Sequence, residues 1–150
     1  MSKSVEFNNW CIIVGQDFRQ KFFVKDPSLD KIDNPDYDPD FPESVNNRKQ
    51  LFQPKDLTGY TAKMDIRVGE SSDTDAVAEL ETGSGITIGS PDPTDGSVEI
   101  FIDNTETSVD PIKAQAGNEV FYDIFLTPAV GDNIRLFYGT IPIIGSVTDV

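Results

Sequence analysis

Residues 61–68 read Thr-Ala-Lys-Met-Asp-Ile-Arg-Val, and within them Ala62, Met64, Ile66 and Val68 alternate strictly with Lys63, Asp65 and Arg67. An extended backbone points successive side chains to opposite faces, so the four apolar residues share one side and the three charged residues the other. That is the pattern of a half-buried strand. The same period recurs in Val98, Ile100 and Ile102, and in Tyr122, Ile124 and Leu126. Elsewhere the apolar residues come in short runs bounded by Gly, Pro, Asp, Asn and Ser, and helical spacing is scarce. The chain therefore reads as all-β.

Working outward, residues 10–14 and 18–24 predict two strands joined by Gly15-Gln16-Asp17, a three-residue connection of hairpin type. Residues 76–81 predict a weaker strand with Ala78 and Leu80 inward, followed by a short strand at 86–88. The cluster Ser90-Pro91-Asp92-Pro93-Thr94-Asp95-Gly96 predicts a sharp turn, tightest at Asp95-Gly96. Residues 103–117 are the one place for a helical turn, with Thr107 or Ser108 as cap, Pro111 in the first turn and Gly117 at the exit. Residues 120–126 and 134–144 close the chain as a long hairpin around 128–133. Seven to nine strands at this spacing fit a sandwich of two antiparallel sheets, with a small closed barrel as the alternative. At 150 residues the chain is one domain, able to bury roughly 68–70% of its unfolded surface.

One segment breaks the pattern. Residues 26–43 hold seven acidic residues, one lysine and four prolines (Pro27, Pro35, Pro39, Pro42). Proline cannot donate to a ladder and like charges repel, so residues 26–56 are expected as an exposed acidic loop insertion, an interaction arm or a disordered segment. Asp36, Asp38 and Asp40 stand at alternate positions, as carboxylates do at the start of a calcium loop. The rest of that motif fails: Phe41 stands where glycine is needed and Asn47 where a bidentate glutamate is needed. The expected reading is a solvated or docking surface made of Asp33, Asp36, Asp38, Asp40 and Phe41, with no metal and no cofactor; weak divalent binding by Asp36, Asp38 and Asp40 is the alternative.

Composition removes much chemistry. There is no histidine, so Ser-His-Asp triads, Cys-His dyads and His-ligated zinc are excluded. Cys11 is the single cysteine, so neither an intrachain disulfide nor a thiolate cluster can form. The net charge of −14 repels phosphate backbones and anionic lipid, which argues against nucleic-acid and membrane partners. The first nine residues lack a basic start followed by a long apolar run, so neither a signal peptide nor a bilayer span is expected. Gly83-Ser84-Gly85 leads into a strand-like Ile86-Thr87-Ile88 and not into a helix N-terminus, so no phosphate loop is built. Carboxylates are abundant but none is tied by sequence to a pocket, and no catalytic residue is assigned. Phe22, Phe23, Phe121, Tyr122, Phe125, Phe137 and Tyr138 all fall in predicted strands and are expected mainly as core. Alternation places Phe101, Phe121 and Phe125 on the faces opposite the apolar sets, where an outward aromatic suits a partner surface.

The order of features resembles the small immunoglobulin-like domains of tailed-bacteriophage virions, such as the N-terminal domain of phage baseplate upper proteins. The resemblance rests on Gly15-Gln16-Asp17 before a Phe-rich strand, on Leu57-Thr58-Gly59-Tyr60 leading into the 61–67 strand, on Gly83-Ser84-Gly85-Ile86-Thr87-Ile88, on Gly96-Ser97-Val98-Glu99-Ile100, on Tyr122-Asp123-Ile124 and on the closing run from Arg135 to Ile141. It covers residues 10–24 and 57–147 and leaves the acidic insert outside. It implies an immunoglobulin-like β-sandwich that is not an enzyme. The implied role is a virion structural component, assembled in the bacterial cytoplasm, that serves as an adaptor or attachment protein at the baseplate, tail, neck or fibre base. Its implied partners are other phage structural proteins and further copies of itself. A carbohydrate- or receptor-binding module, or a capsid decoration protein, is the alternative.

Overall fold

A computed structural model of the chain describes residues 10–41, 47–71, 73–89 and 92–145, and the stretch quoted first forms one of its central strands. Residues 1–9, Pro42 and Glu43 of the insert, and Ser90 and Pro91 of the turn lie outside the described residues. The principal strands are β1 (Ile12–Ile13), β2 (Phe18–Phe23), β7 (Thr61–Arg67), β8 (Ala76–Thr82), β9 (Gly85–Ile88), β10 (Ser97–Ile102), β11 (Glu119–Thr127) and β12 (Ile134–Ile144). Between β2 and β7 lie four two-residue strands, β3 (Lys25–Asp26), β4 (Ile32–Asp33), β5 (Gln50–Leu51) and β6 (Gln53–Pro54). The eight principal strands form one nearly closed sheet in the order β1-β12-β11-β7-β8-β9-β10-β2. The fold is all-β, and the barrel alternative is compatible with it.

Closure is achieved by two corners. At Gly83-Ser84 the chain leaves β8, which pairs with β7, and enters β9, which pairs with β10. Strands that change sheets in this way make the corners of barrel-like sandwiches. The second corner is Gly15-Gln16-Asp17, and here the expected hairpin is not formed. β1 adds in parallel to β12, while β2 adds antiparallel to β10, so the two strands stand at opposite ends of the strand order. The cause is a prop beneath the bend. A single helical turn, α1 (Asn104–Thr107), donates the Asn104 N–H to Asp17 Oδ1 at 2.7 Å, and the Thr107 hydroxyl donates to the Gln16 carbonyl at 2.8 Å. These bonds hold the loop across the end of the barrel instead of letting it reverse.

The inward face follows the alternation. Met64, Ile66, Val98, Ile100, Ile102, Ile124 and Leu126 are fully buried, and Ile12, Ile141 and Ile143 close the layer. In β8 the register shifts opposite Ile66 and Arg67, so Val77 and Leu80 are buried while Ala78 is only half-buried. A bulge moves the next side chain to the other face, which strict alternation from Ala78 could not foresee. The cap of α1 also differs from expectation. Asp103 accepts from the N–H groups of Thr105 and Glu106, whereas Thr107 is buried and Ser108 ends the turn. Among the described residues, no helix is long and apolar enough to cross a membrane.

The barrel has a seam. β12 is paired on its outer side only at Ile143 and Ile144, and β2 has no strand partner beyond β10 among the described residues. Side chains bridge the gap: Phe22 of β2 meets Phe137 of β12 edge-on at 4.8 Å between ring centroids. Trp10 lies over both, 6.3 Å from each, and 5.5 Å from Tyr122 below. Trp10 itself precedes the strand, which is two residues long and not five.

Candidate functional site

The described part of the insert, residues 26–41 and 47–56, is an exposed excursion that carries short ladders of its own, which its composition did not indicate. Its two limbs run antiparallel, with β3 laddered to β6 (Lys25 opposite Pro54) and β4 to β5 (Ile32 opposite Leu51). Proline survives here because each ladder is only two residues long and leaves its outer edge free. Two asparagines fasten the far end. The side-chain amide of Asn34 donates to the Arg48 carbonyl at 2.7 Å, and its backbone N–H donates to the Lys49 carbonyl. Asn47 accepts from the Asp38 N–H at 2.7 Å and donates to the carbonyls of Asp38 and Phe41 at 2.6 and 2.8 Å. At the root, the Val24 N–H donates to the Gly96 carbonyl and the Val24 carbonyl accepts from the Lys55 N–H. The arm is thus fixed to the body at one end and tied to itself at the other.

Its surface is charged and apolar together. Leu29, Ile32, Phe41 and Phe52 are exposed on the arm, and Phe23 is exposed at its base. The outgoing limb carries the carboxylates, while residues 44–55 hold Arg48, Lys49 and Lys55 and no acid. Asp33, Asp36, Asp38 and Asp40 all lie exposed on this limb, and none of them makes an ion pair among the described residues. Asp38 Oδ1 instead accepts from the Asp40 N–H at 2.9 Å, so that carboxylate is occupied in shaping the turn. Among the described residues no group of three or more acidic or thiol side chains is arranged to hold a metal ion.

A second feature lies on the outer face of β7, β11 and β12. Register places Tyr138, Asp123, Asp65 and Glu79 in one row across four strands, with Thr140, Phe121 and Arg67 in the next row. On the other side of the acidic row stand Arg135, Phe125 and Lys63. Arg135 ion-pairs Asp123 at 3.6 Å and lies over the Tyr138 ring at 4.5 Å. Between these side chains is a groove of about 300 Å3, lined among others by Asp65, Arg67, Phe121, Asp123, Arg135 and Tyr138. Burial pushes the Asp123 carboxyl above its ordinary range, opposed by Arg135 and reinforced by the facing Asp65. Asp65 Oδ1 is buried with no hydrogen-bond partner among the described residues. The groove therefore sets under-satisfied acceptors and guanidinium donors beside an aromatic ring, a combination that can hold a small polar ligand.

The sequence-derived residues fall in three separate places. Asp33, Asp36, Asp38, Asp40 and Phe41 are on the arm, Phe121 and Phe125 are on the outer face of β11, and Phe101 is on β10. Alternation oriented all three phenylalanines correctly: each is half-buried beside fully buried neighbours. Phe101 is covered by this chain's own Arg19, whose guanidinium carbon sits 4.3 Å from the ring centroid. Phe23 and Tyr138, expected in the core, are instead 52% and 49% exposed. Phe23 follows the inward Phe22 and so points outward, and Tyr138 follows the inward Phe137 in the same way. Exposed cations were also missed: Arg19, Lys21 and Lys25 share the outward side of β2 and β3 with Phe23, a period-two spacing that was open to reading.

Comparison of the chain with protein-family models and with curated proteins finds no match.

Proposed function

We propose that this chain is a structural component of a tailed-bacteriophage virion, an adaptor or attachment protein at the baseplate, tail, neck or fibre base. It works by binding other subunits, without turnover. The observation that carries the reading is the arm, an exposed excursion held in shape by two ladders and two asparagine clamps. Ordering such a segment costs backbone entropy. A pre-shaped arm meets a partner with that cost already met, which favours stable attachment. Its exposed Leu29, Ile32, Phe41 and Phe52 supply apolar area, and the carboxylates between them supply electrostatic selection. The resemblance of the flanking strands to virion immunoglobulin-like domains supplies the biological setting. Mass spectrometry of purified particles tests the role: the protein is expected in fixed stoichiometry with tail or baseplate subunits. Infectious particles that lack it would overturn the proposal.

A second reading, as a carbohydrate- or receptor-binding module, is favoured by the groove beside Tyr138 and Phe121. Glycan binding that is lost on Tyr138→Ala, with folding intact, would select it.

A further inference from the structure

The outer side of β2 and β3 carries Arg19, Lys21, Phe23 and Lys25 at alternate positions, all exposed. Arg19 is committed to Glu99 at 3.1 Å. Lys21 and Lys25 make no close ion pair among the described residues, although Lys21 stands opposite Glu99 in the ladder and within electrostatic reach of Asp95; their ammonium groups lie 5.5 and 5.9 Å from the Phe23 ring centroid. In a chain with 26 acidic residues against 12 basic ones, a cation-aromatic-cation stripe without a close ion pair at Lys21 or Lys25 is an exception to the surface around it. The arm presents the complementary sequence. Asp36 and Asp38 flank Tyr37, Asp40 follows Pro39, and Phe41 beside it is 65% exposed.

The two surfaces belong to one chain and, among the described residues, are not bonded to each other within it. The arm leaves the body through β3, which follows directly from β2, and its root is held by Val24 between Gly96 and Lys55. Its far end is tied back on itself by Asn34 and Asn47. Among the described residues no ladder, hydrogen bond or ion pair joins residues 34–41 to β2. We infer that the acidic arm tip of one copy docks on the Lys21-Phe23-Lys25 stripe of a second copy. Phe41 packs beside Phe23, and the Asp36 and Asp40 carboxylates approach the two ammonium groups. Because the patches differ, the contact is head-to-tail: it generates a ring if the rotation closes and a filament if it does not. The overall negative charge does not forbid this, since screening at physiological ionic strength confines repulsion to about 8 Å while the paired charges lie closer. The inference rests on the proposed adaptor role for its setting only, because the contact is read from this chain alone.

Sedimentation velocity of the full chain, across micromolar to sub-millimolar concentrations, tests it. The wild-type chain is expected to self-associate at low salt and to dissociate as ionic strength rises from about 0.1 M to 1 M, which shortens screening from about 10 Å to 3 Å. Lys21→Glu with Lys25→Glu, or Asp36→Lys with Asp40→Lys, should each weaken association about tenfold or more, and the four changes combined should restore much of it. None of these four side chains makes a hydrogen bond among the described residues, and far-UV circular dichroism checks that the variants remain folded. A wild-type chain that stays monomeric at low salt overturns the inference. So does association that ignores both reversals, which would assign the contact to another face. The outcomes separate from those for the proposed function. A virion subunit that fails here still appears in purified particles, and a chain that associates here but is absent from particles loses its role and keeps its contact.

Discussion

At Gly96 the backbone of the body is hydrogen-bonded to the root of the arm at Val24, and Gly96→Ala tests that joint. The residue ends a 3-10 turn (Pro93–Asp95) at φ +75°, and a Cβ built on it would stand 2.4 Å from the Val24 carbonyl oxygen and 3.2 to 3.3 Å from the Lys55 backbone. These neighbours are main chain and cannot swing aside. The Val24 N–H is bonded to the Gly96 carbonyl at 2.8 Å and the Val24 carbonyl to the Lys55 N–H at 2.9 Å, so relief of the clash moves at least one of the two. An L-residue in the left-handed region costs about 1–2 kcal/mol. A displaced backbone hydrogen bond adds about 0.5–1.5 kcal/mol. The sum, about 1.5–3.5 kcal/mol, lowers Tm by roughly 3–14 °C for a domain of this size. Gly117→Ala is the control, because Gly117 has φ +89° but nothing within 4 Å of a built Cβ, so it carries the conformational cost alone. Thermal melts should rank wild type above Gly117→Ala and that above Gly96→Ala. Limited trypsin digestion should cut at Lys49 and Lys55 faster in the Gly96 variant only. Equal melting points with equal arm cleavage would refute the reasoning that the arm is seated on Gly96.

Replacing residues 27–52 with Asn-Gly joins the paired Asp26 and Gln53 through a tight turn; the shortened chain should keep a cooperative thermal transition while losing self-association, and loss of that transition would show that the arm supports the barrel. Trp10→Ala removes the ring that spans the seam to Phe22, Phe137 and Tyr122, and because Trp10 is only half-buried the expected cost in urea unfolding is about 3 kcal/mol, the lower end of the range for large aromatic truncations. Asp123 has its folded pKa raised above 3.8 by burial, so the folded state binds the proton more tightly and the contribution of this group to stability falls as pH rises from 3.8 through the raised value. Asp123→Asn should therefore raise the urea midpoint at neutral pH, and a lower midpoint would show that the Arg135 attraction outweighs burial. Asp26, Asp56, Asp95 and Asp103 behave oppositely: hydroxyl and backbone donors hold their carboxyls below 3.8, so the stability they contribute is present above that pH and is lost as pH falls through the lowered values, which acid titration of the circular dichroism signal can follow.

The strands were legible wherever burial on one face imposed a period of two. Met64, Ile66, Val98, Ile100, Ile102, Ile124 and Leu126 are all inside because each occupies an alternate position in the β7–β11 or β2–β10 ladder, neither of which shifts register. The closing hairpin of β11 and β12 was legible for the same reason. What alternation cannot carry is pairing over distance. The segment around Gly15 has the composition of a hairpin, and it fails to become one because Asn104 and Thr107, nearly ninety residues later, hold the bend open. Val77 was missed because a bulge is a property of two strands in register, and one strand's sequence does not contain the other's.

The arm was hidden by a different cause. Charge and proline content argue against a packed core, and the arm has none: its short ladders leave Ile32 and Phe52 exposed and are secured by amide side chains to backbone carbonyls. Asn47 shows the point, since as a calcium ligand it was the wrong residue, while as a donor and acceptor facing Asp38 and Phe41 it closes the tip. Composition sums charges along the chain and loses their order. The sum of −14 conceals an acidic limb running beside a basic one, and a row of cations on β2 that the strand period exposes together. The proposed contact pairs these two surfaces, which carry opposite sign and exposed aromatic rings and which no hydrogen bond or ion pair joins within the chain among the described residues. In the proposed assembly the arm's hydrogen-bonded shape therefore matters as well as its acidity: the bonds made by Asn34 and Asn47 tie the two limbs to each other, and a partner that binds this shape does not have to order it.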